Sequence, residues 1–161
     1  MREPIQLITT ALLDATIERA RGSERRRINH NFHADDAANP HRFLNALIRG
    51  TYVTPHRHVT PPKHESFLVL TGQVAFFLFD ADGNISNCYR MCETGVRGID
   101  LAPGIWHSMA ALSESAVIYE VKPGPYAPAS DKDFAPFAPR EGDASATEYL
   151  KRLMEFAEAT R

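Results

Sequence analysis

The chain has 161 residues, of which 43% are hydrophobic, so it is long enough and apolar enough to bury the core of a single domain. Its 18 basic and 20 acidic residues give a net charge of −2, which offers no electrostatic attraction for nucleic acid or for an anionic membrane. The longest apolar runs have the length of strands rather than of membrane spans, and the first residues lack the apolar segment of a secretory signal. We therefore predict a cytoplasmic protein whose two cysteines, Cys88 and Cys92, stay reduced.

The first predicted element is a helix over residues 5–21, where apolar residues recur at helical spacing and Gly22 supplies a stop. From residue 25 onward the pattern changes to short strands separated by turns such as Asp80-Ala-Asp-Gly83. The predicted strands are Arg25–Phe32, Phe43–Ile48, Thr51–His56, Glu65–Leu70, Val74–Phe79, Ile85–Met91, Gly98–Leu101, His107–Ala111 and Ala116–Lys122. A run of short strands between two helices indicates an all-β jelly-roll barrel with helical appendages.

The last part of the chain is predicted to leave the barrel. Residues 123–142 hold five of the eleven prolines, which favours an extended arm over regular structure. Ser145-Ala-Thr-Glu148 then matches a helix capping box and opens an amphipathic helix. The predicted single domain, residues 1–161, therefore consists of an N-terminal helix within 1–24, a barrel over 25–123, an arm over 124–143 and a C-terminal helix within 144–161.

The pattern that carries chemistry begins at His56 and His58, which lie two residues apart on a predicted strand segment and so point to the same face. Glu65 heads the next strand, and His107 follows a turn at Pro103-Gly104 far downstream. Three imidazoles and one carboxylate suit a single divalent transition metal and leave coordination positions for water or substrate. Fe, Mn, Ni and Zn all fit this ligand set, so the spacing does not choose among them.

These two segments resemble the two cupin motifs. The residues that fit the first motif are Gly50, His56, His58, Glu65 and Gly72. Six residues separate the second histidine from the glutamate, where the motif has three or four, and the extra length indicates a loop insertion. In the second motif Gly104 and His107 keep the spacing, whereas Pro103 is shifted by one position and Ala111 replaces an asparagine.

The flanking segments extend the resemblance to the WbuC-type cupin metalloproteins, over about residues 25–140. Those segments are Arg27–His33, Leu44–Leu47, Val121–Tyr126 and Asp131–Pro136. The resemblance implies a cupin barrel with a bound metal. The family takes its name from a gene found among bacterial surface-polysaccharide genes, which suggests a link to that metabolism and supplies no reaction.

Four further residues are candidates for binding a substrate. Strand alternation puts Asn29 and Asn31 on one face of the first strand, where their amides either face solvent or line the barrel mouth. Lys122 ends the last strand and is either a surface residue or a clamp for an anionic substrate group. Tyr52 shares the strand parity of His56 and is expected to line the same pocket.

Two functions fit these expectations. The first is a metal-dependent enzyme that acts on a small polar or sugar-derived molecule, with isomerase, lyase and dioxygenase chemistry all open. The second is a non-catalytic module in which the metal either holds a small-molecule ligand or only stabilises the barrel by cross-linking its strands. The apolar run Val74–Phe79 offers more hydrophobic surface than one buried face needs, which predicts a homodimer that pairs through strand surface.

Overall fold

In the computed structural model, which describes residues 3–127 and 131–160, the chain forms ten β-strands and two α-helices. The helices are α1, Thr10–Arg21, and α2, Ala146–Ala159. The strands are β1, Arg27–Asn31; β2, His41–Ile48; β3, His56–Arg57; β4, Glu65–Thr71; β5, Gln73–Phe79; β6, Ile85–Cys92; β7, Gly98–Leu101; β8, Trp106–Ala111; β9, Ser115–Lys122; and β10, Asp133–Phe134. Within the described residues, no helix is both long and apolar enough to cross a membrane.

The strands form two antiparallel sheets of five strands each. The first sheet has the order β1-β2-β9-β4-β7, and the second has the order β10-β3-β8-β5-β6. Phe67 and Ile118 of the first sheet share one apolar core with Phe76 and Met109 of the second. The two sheets therefore pack face to face, and the predicted mostly-β fold with two helices is confirmed.

Each helix covers the outer face of one sheet. Ala20 of α1 packs with Leu44 of β2, and Leu153 of α2 packs with Phe77 of β5. Side chains alternate along a strand, so a strand whose inner face joins the shared core needs a second apolar partner for its outer face. The two helices supply that partner.

The helix ends differ from the predicted ones. The helix predicted from residue 5 begins at Thr10, because the hydroxyl of Thr9 accepts a hydrogen bond of 3.2 Å from the backbone N–H of Leu12 and so fixes the first turn. Ser145 precedes α2 but has a right-handed helical backbone and makes no capping hydrogen bond with its side chain. The predicted capping box is therefore wrong.

The strand predicted over Thr51–His56 reduces to the short β3 at its end. Two of its carbonyls accept hydrogen bonds from side chains rather than from a neighbouring strand. Arg27 donates to the carbonyl of Tyr52 at 2.8 Å, and Ser108 donates to the carbonyl of Val53 at 2.6 Å. Because these bonds replace a ladder, strict alternation of side chains does not hold along this segment.

The predicted arm over 124–143 contains one short strand. Its residues 128–130 lie outside the described part of the chain. Downstream of them, β10 pairs antiparallel with β3, beside His56. The arm is thereby fixed next to the first histidine of the predicted metal site. The ring of Phe137 also contacts Phe79, whereas Phe134 is exposed.

Candidate metal centre

The four predicted ligands come together between the two sheets. His56 on β3 is paired in register with His107 on β8, and His58 follows β3 by one residue. Glu65 opens β4 in the facing sheet. All four side chains are buried, and one nitrogen or oxygen from each lies within 4.8 Å of all the others. We refer to these four residues as the His/Glu cluster.

A backbone carbonyl holds each of the three imidazole rings. The Nδ1 atom of His56 lies 3.0 Å from the carbonyl oxygen of Thr54, and that of His107 lies 3.0 Å from the carbonyl oxygen of Ile105. The Nδ1 atom of His58 donates to the carbonyl oxygen of Asp131. A carbonyl oxygen only accepts, so each Nδ1 carries a proton, and in the neutral form of each ring Nε2 keeps its lone pair. This is the tautomer that binds a metal through Nε2.

The carboxylate of Glu65 lies between two of these rings. Its oxygens are each 3.1 Å from an imidazole Nε2, one from that of His58 and the other from that of His107. Among the residues that the structure describes, the Nε2 atoms of both rings and one carboxylate oxygen are buried without a hydrogen-bond partner. Buried polar atoms that face one another without a shared proton are costly, and a cation among them removes that cost. The donor set therefore fits a divalent transition metal.

The protonation states suit metal binding. Burial, together with the charge of Lys132 and the His107 ring, holds the pKa of His56 well below its ordinary range, so that ring is neutral at pH 7. Burial alone would raise the pKa of Glu65, but the adjacent His107 and His58 rings and the charge of Lys122 hold it well below its ordinary range. His56 therefore offers a neutral imidazole and Glu65 an ionised carboxylate, which are the forms that ligate metals.

A cavity of about 570 Å³ adjoins the His/Glu cluster. Three of the four cluster residues line it, namely His56, Glu65 and His107. The volume falls within the range of pockets that hold small organic ligands. A small molecule in this cavity would therefore lie beside the proposed metal ligands.

The cavity receives three of the four predicted substrate residues. Asn29, Asn31 and Lys122 line it. Tyr52 is not among the lining residues; its hydroxyl donates to the carbonyl of Pro139 at 2.8 Å and its ring contacts Tyr149 edge-on. Strand alternation does not place Tyr52 on the face of His56, because the segment before His56 is not a regular strand.

Lys122 is buried and already surrounded by acids. Its Nζ lies 3.8 Å from an oxygen of Glu65, 3.8 Å from one of Glu120 and 3.4 Å from one of Asp131. Burial lowers its pKa, but these carboxylates reverse the effect and raise it above the ordinary value. Asp131 also accepts a hydrogen bond of 2.7 Å from the buried Lys63. These groups form a buried network of charges next to the His/Glu cluster.

Several cavity residues were not predicted from the sequence. Lys132 and Asp131 come from the arm, and Asn45 comes from β2, where it donates to Glu120 at 3.4 Å. His41 also lines the cavity and stacks on His33 at 4.0 Å between ring centroids. Strand alternation places His33 on the same face as Asn29 and Asn31, so the sequence already points to that residue. The arm residues lie in a segment that shares the WbuC-type resemblance, and that was the one signal that pointed to them. Strand alternation carries no information about a segment without regular structure.

The sequence family described as "Domain of unknown function (DUF6016)" matches residues 8–91, just over half of the chain. A search of curated proteins finds no match. Similar solved structures include the capsular polysaccharide assembling protein CapF from Staphylococcus aureus, with 18% identity, a TM-score of 0.53, and coverage of 66% of this chain and 34% of CapF. CapF in complex with the inhibitor 3-isopropenyl-tropolone gives 18% identity, a TM-score of 0.55, and coverage of 67% and 34%.

A cupin 2 conserved barrel domain protein from Leptotrichia buccalis is also similar, with 18% identity, a TM-score of 0.47, and coverage of 62% of this chain and 41% of that protein. The chain spans about a third of the length of the CapF structures. At these identities the likeness to CapF extends to the fold and not to an activity.

Proposed function

The chain belongs to the family described as Domain of unknown function (DUF6016), and we propose that it is a cupin-type protein that binds one divalent transition metal ion at the His/Glu cluster and acts on a small polar molecule in the adjoining cavity. The WbuC-type resemblance supports the same reading of the barrel and the metal. A link to surface polysaccharides is part of the proposal, because the name of that family associates it with such genes.

The observation that carries this proposal is the set of orphaned lone pairs in the His/Glu cluster. Both Nε2 atoms next to Glu65, those of His58 and His107, have no hydrogen-bond partner in the described part of the chain, although backbone carbonyls hold their Nδ1 atoms. A cluster that served packing alone would pair these buried atoms with donors. Lone pairs that converge from two sheets on one point are what a metal site requires.

The cavity supports a role for the metal in binding small molecules, in addition to any stabilisation of the fold. A structural metal site is closed, with all coordination positions filled by protein, whereas a site that acts on small molecules stays open on one side. Here three of the four cluster residues line a cavity with amide and ammonium groups on its walls. A divalent ion in this position supplies Lewis acidity to a bound polar ligand. The chain's own part is to orient that ligand and to limit its exposure to water.

The metal half of the proposal is tested by elemental analysis of the purified protein after loading with Fe(II), Mn(II), Ni(II) or Zn(II) under anaerobic conditions. We expect about one ion per chain in the wild type and a loss of most of it in Glu65→Gln and His107→Gln. The matched control is His64→Gln, because His64 neighbours Glu65 in sequence but is exposed. Equal metal content in all four proteins would contradict the proposal.

The chemical half is tested by incubating the metal-loaded wild type with sugar acids, hydroxy acids and hydroxyketones and analysing the products by NMR. Conversion of one compound by the wild type and not by Glu65→Gln supports an enzyme. Saturable binding without conversion supports the non-catalytic binding module instead. Neither binding nor conversion of any of these compounds would contradict the proposed use of the cavity.

A further inference from the structure

Lys122, the cation predicted to clamp a substrate anion, has little capacity left for one. Its ammonium lies within 4.0 Å of three carboxylates, those of Glu65, Glu120 and Asp131. It is also buried, so that its charge acts on these neighbours rather than on the cavity mouth. Lys122 therefore neutralises the buried carboxylates around it and is not available to bind the anionic group of a ligand.

Lys132 is a second cavity-lining lysine, and it differs from Lys122 in its partners. Within residues 3–127 and 131–160 it makes no hydrogen bond and no ion pair closer than 4.0 Å. It is only partly exposed. Lys122 and Arg27 repel its charge, and Glu120 and Glu65 attract it without forming an ion pair with it. An ammonium held partly out of water without a direct ion pair is unfavourable, and a bound anion would relieve this cost.

The charge balance of the site points the same way. Around the His/Glu cluster, the carboxylates of Glu65, Glu120 and Asp131 are matched by three lysines, which are Lys63, Lys122 and Lys132. A divalent ion in the cluster adds two positive charges to this balanced set. The loaded site then carries an excess of positive charge in a partly enclosed cavity, where an anion with one or two charges offsets it.

The cavity also has uncharged polar residues in its lining. These are Asn29, Asn31 and Asn45. Asn45 donates through Nδ2 to Glu120, and its Oδ1 is buried with no hydrogen-bond partner among residues 3–127 and 131–160. An acceptor of this kind is satisfied by a hydroxyl donor on a ligand. The cavity thus combines an unpaired ammonium with an unpaired acceptor.

We propose that Lys132 is the specificity-determining residue of the cavity and binds the carboxylate of a small hydroxylated carboxylic acid, with Asn45 accepting a hydrogen bond from a hydroxyl of the same molecule. This inference rests on the proposed metal site, because the bound ion supplies the excess charge. A carboxylate is favoured over a phosphate because the arginines at the cavity are already engaged. Arg25 and Arg27 both pair with Glu141, and phosphate sites usually offer free arginines or a cluster of backbone N–H groups.

The test uses gluconate as the probe, with sorbitol as its uncharged counterpart of the same chain length and with inorganic phosphate as the competing anion. Binding to the metal-loaded full chain is measured by calorimetry at pH 7. We expect gluconate to bind the wild type at least about tenfold more tightly than either sorbitol or phosphate, since a hydrogen bond to a charged group gives a difference of this order. Lys132→Met should weaken gluconate binding by about tenfold or more, and Lys132→Arg should retain most of it.

The control variant is Lys151→Met, because Lys151 is an exposed lysine on α2. It should bind gluconate like the wild type, and metal content should be the same in all the variants. Equal affinity for gluconate and sorbitol, phosphate binding as tight as gluconate binding, unchanged affinity in Lys132→Met or no gluconate binding at all would each overturn the assignment. Wild-type protein that takes up no metal would instead refute the proposed function, so the two failures are distinguishable.

Discussion

The charged form of Lys132 lowers the free energy of unfolding, because its ammonium is partly buried at the cavity. Burial, followed by the nearby charge of Lys122, lowers the pKa of Lys132 from 10.5 to about 8. Glu120 and Glu65 act in the opposite direction, and Arg27 adds to the lowering. The native state therefore binds the Lys132 proton less tightly than the unfolded chain does.

The sign of the pH dependence follows from this difference. Between pH 8 and pH 10.5 the unfolded chain carries the proton on Lys132 while the folded chain has largely lost it. Since the unfolded state then binds more protons, the contribution of Lys132 to the free energy of unfolding rises with pH across this window. Below pH 8 the lysine is charged in both states and destabilises the fold.

We therefore expect Lys132→Met to raise the free energy of unfolding at pH 7 by about 1–3 kcal/mol. The gain should shrink as the pH approaches 10, where the wild-type lysine is neutral in the folded state. Urea unfolding of both proteins in EDTA, at pH 7 and at pH 9.5, measures the difference without a contribution from metal. Parallel stability curves for the two proteins would contradict this account of Lys132.

At the residue scale, the sequence was sufficient for groups that lie on regular strands or at motif spacing. The sequence predicts that His56, Glu65 and His107 lie close together, because strand alternation and motif spacing determine which face each residue occupies. Lys132 could not, because it follows a proline-rich stretch whose path depends on contacts made across the fold. The exclusion of Tyr52 from the cavity has the same cause, since Arg27 and Ser108 hold its segment out of a regular ladder.

At the element scale, the capping of the two helix N-termini is the reverse of what the sequence favours. Thr9 caps α1 through its hydroxyl, and this bond satisfies one of the backbone N–H groups that the first turn leaves free. Ser145 precedes α2 without such a bond. The sequence alone favoured the second site, because only Ser145 is followed at the right spacing by a glutamate, Glu148.

The structure therefore predicts opposite outcomes for two matched substitutions. Thr9→Ala should lower the free energy of unfolding by about 1 kcal/mol, the usual cost of a lost N-cap. Ser145→Ala should change it by less than about 0.5 kcal/mol, as at an ordinary surface position. Chemical denaturation of the two variants beside the wild type provides the comparison. A larger loss in Ser145→Ala than in Thr9→Ala would show that the capping box forms after all.

Strand β5 shows why an apolar run need not indicate a partner chain. Both of its faces are buried, with Phe76 in the core between the sheets and Phe77 under α2. The apolar run predicts a homodimer only if one of these faces lacks a partner within the chain. Leu153 of α2 covers that face. The homodimer stays a prediction, now without this support. The amphipathic pattern of α2 was visible in the sequence, but not which sheet it would cover.

At the scale of the whole molecule, the His/Glu cluster joins the two sheets. His56 and His107 belong to the second sheet, and Glu65 belongs to the first. An ion held by residues of both sheets binds only the folded chain, because unfolding separates its ligands. Binding that is restricted to the native state raises the free energy of unfolding by an amount that depends on the ion concentration relative to Kd.

We expect the wild type to gain about 2.7 kcal/mol when the free metal concentration is a hundred times Kd. For a chain of this length that gain corresponds to a rise in Tm of about 5–10 °C. Thermal unfolding with increasing Zn(II) or Mn(II), followed by addition of EDTA, measures the rise and its reversal. Glu65→Gln should show little or no rise, while His64→Gln, which leaves the cluster intact, should respond like the wild type. A Tm of the wild type that is independent of metal would show that the two sheets are held together by the apolar core and the buried charge network alone.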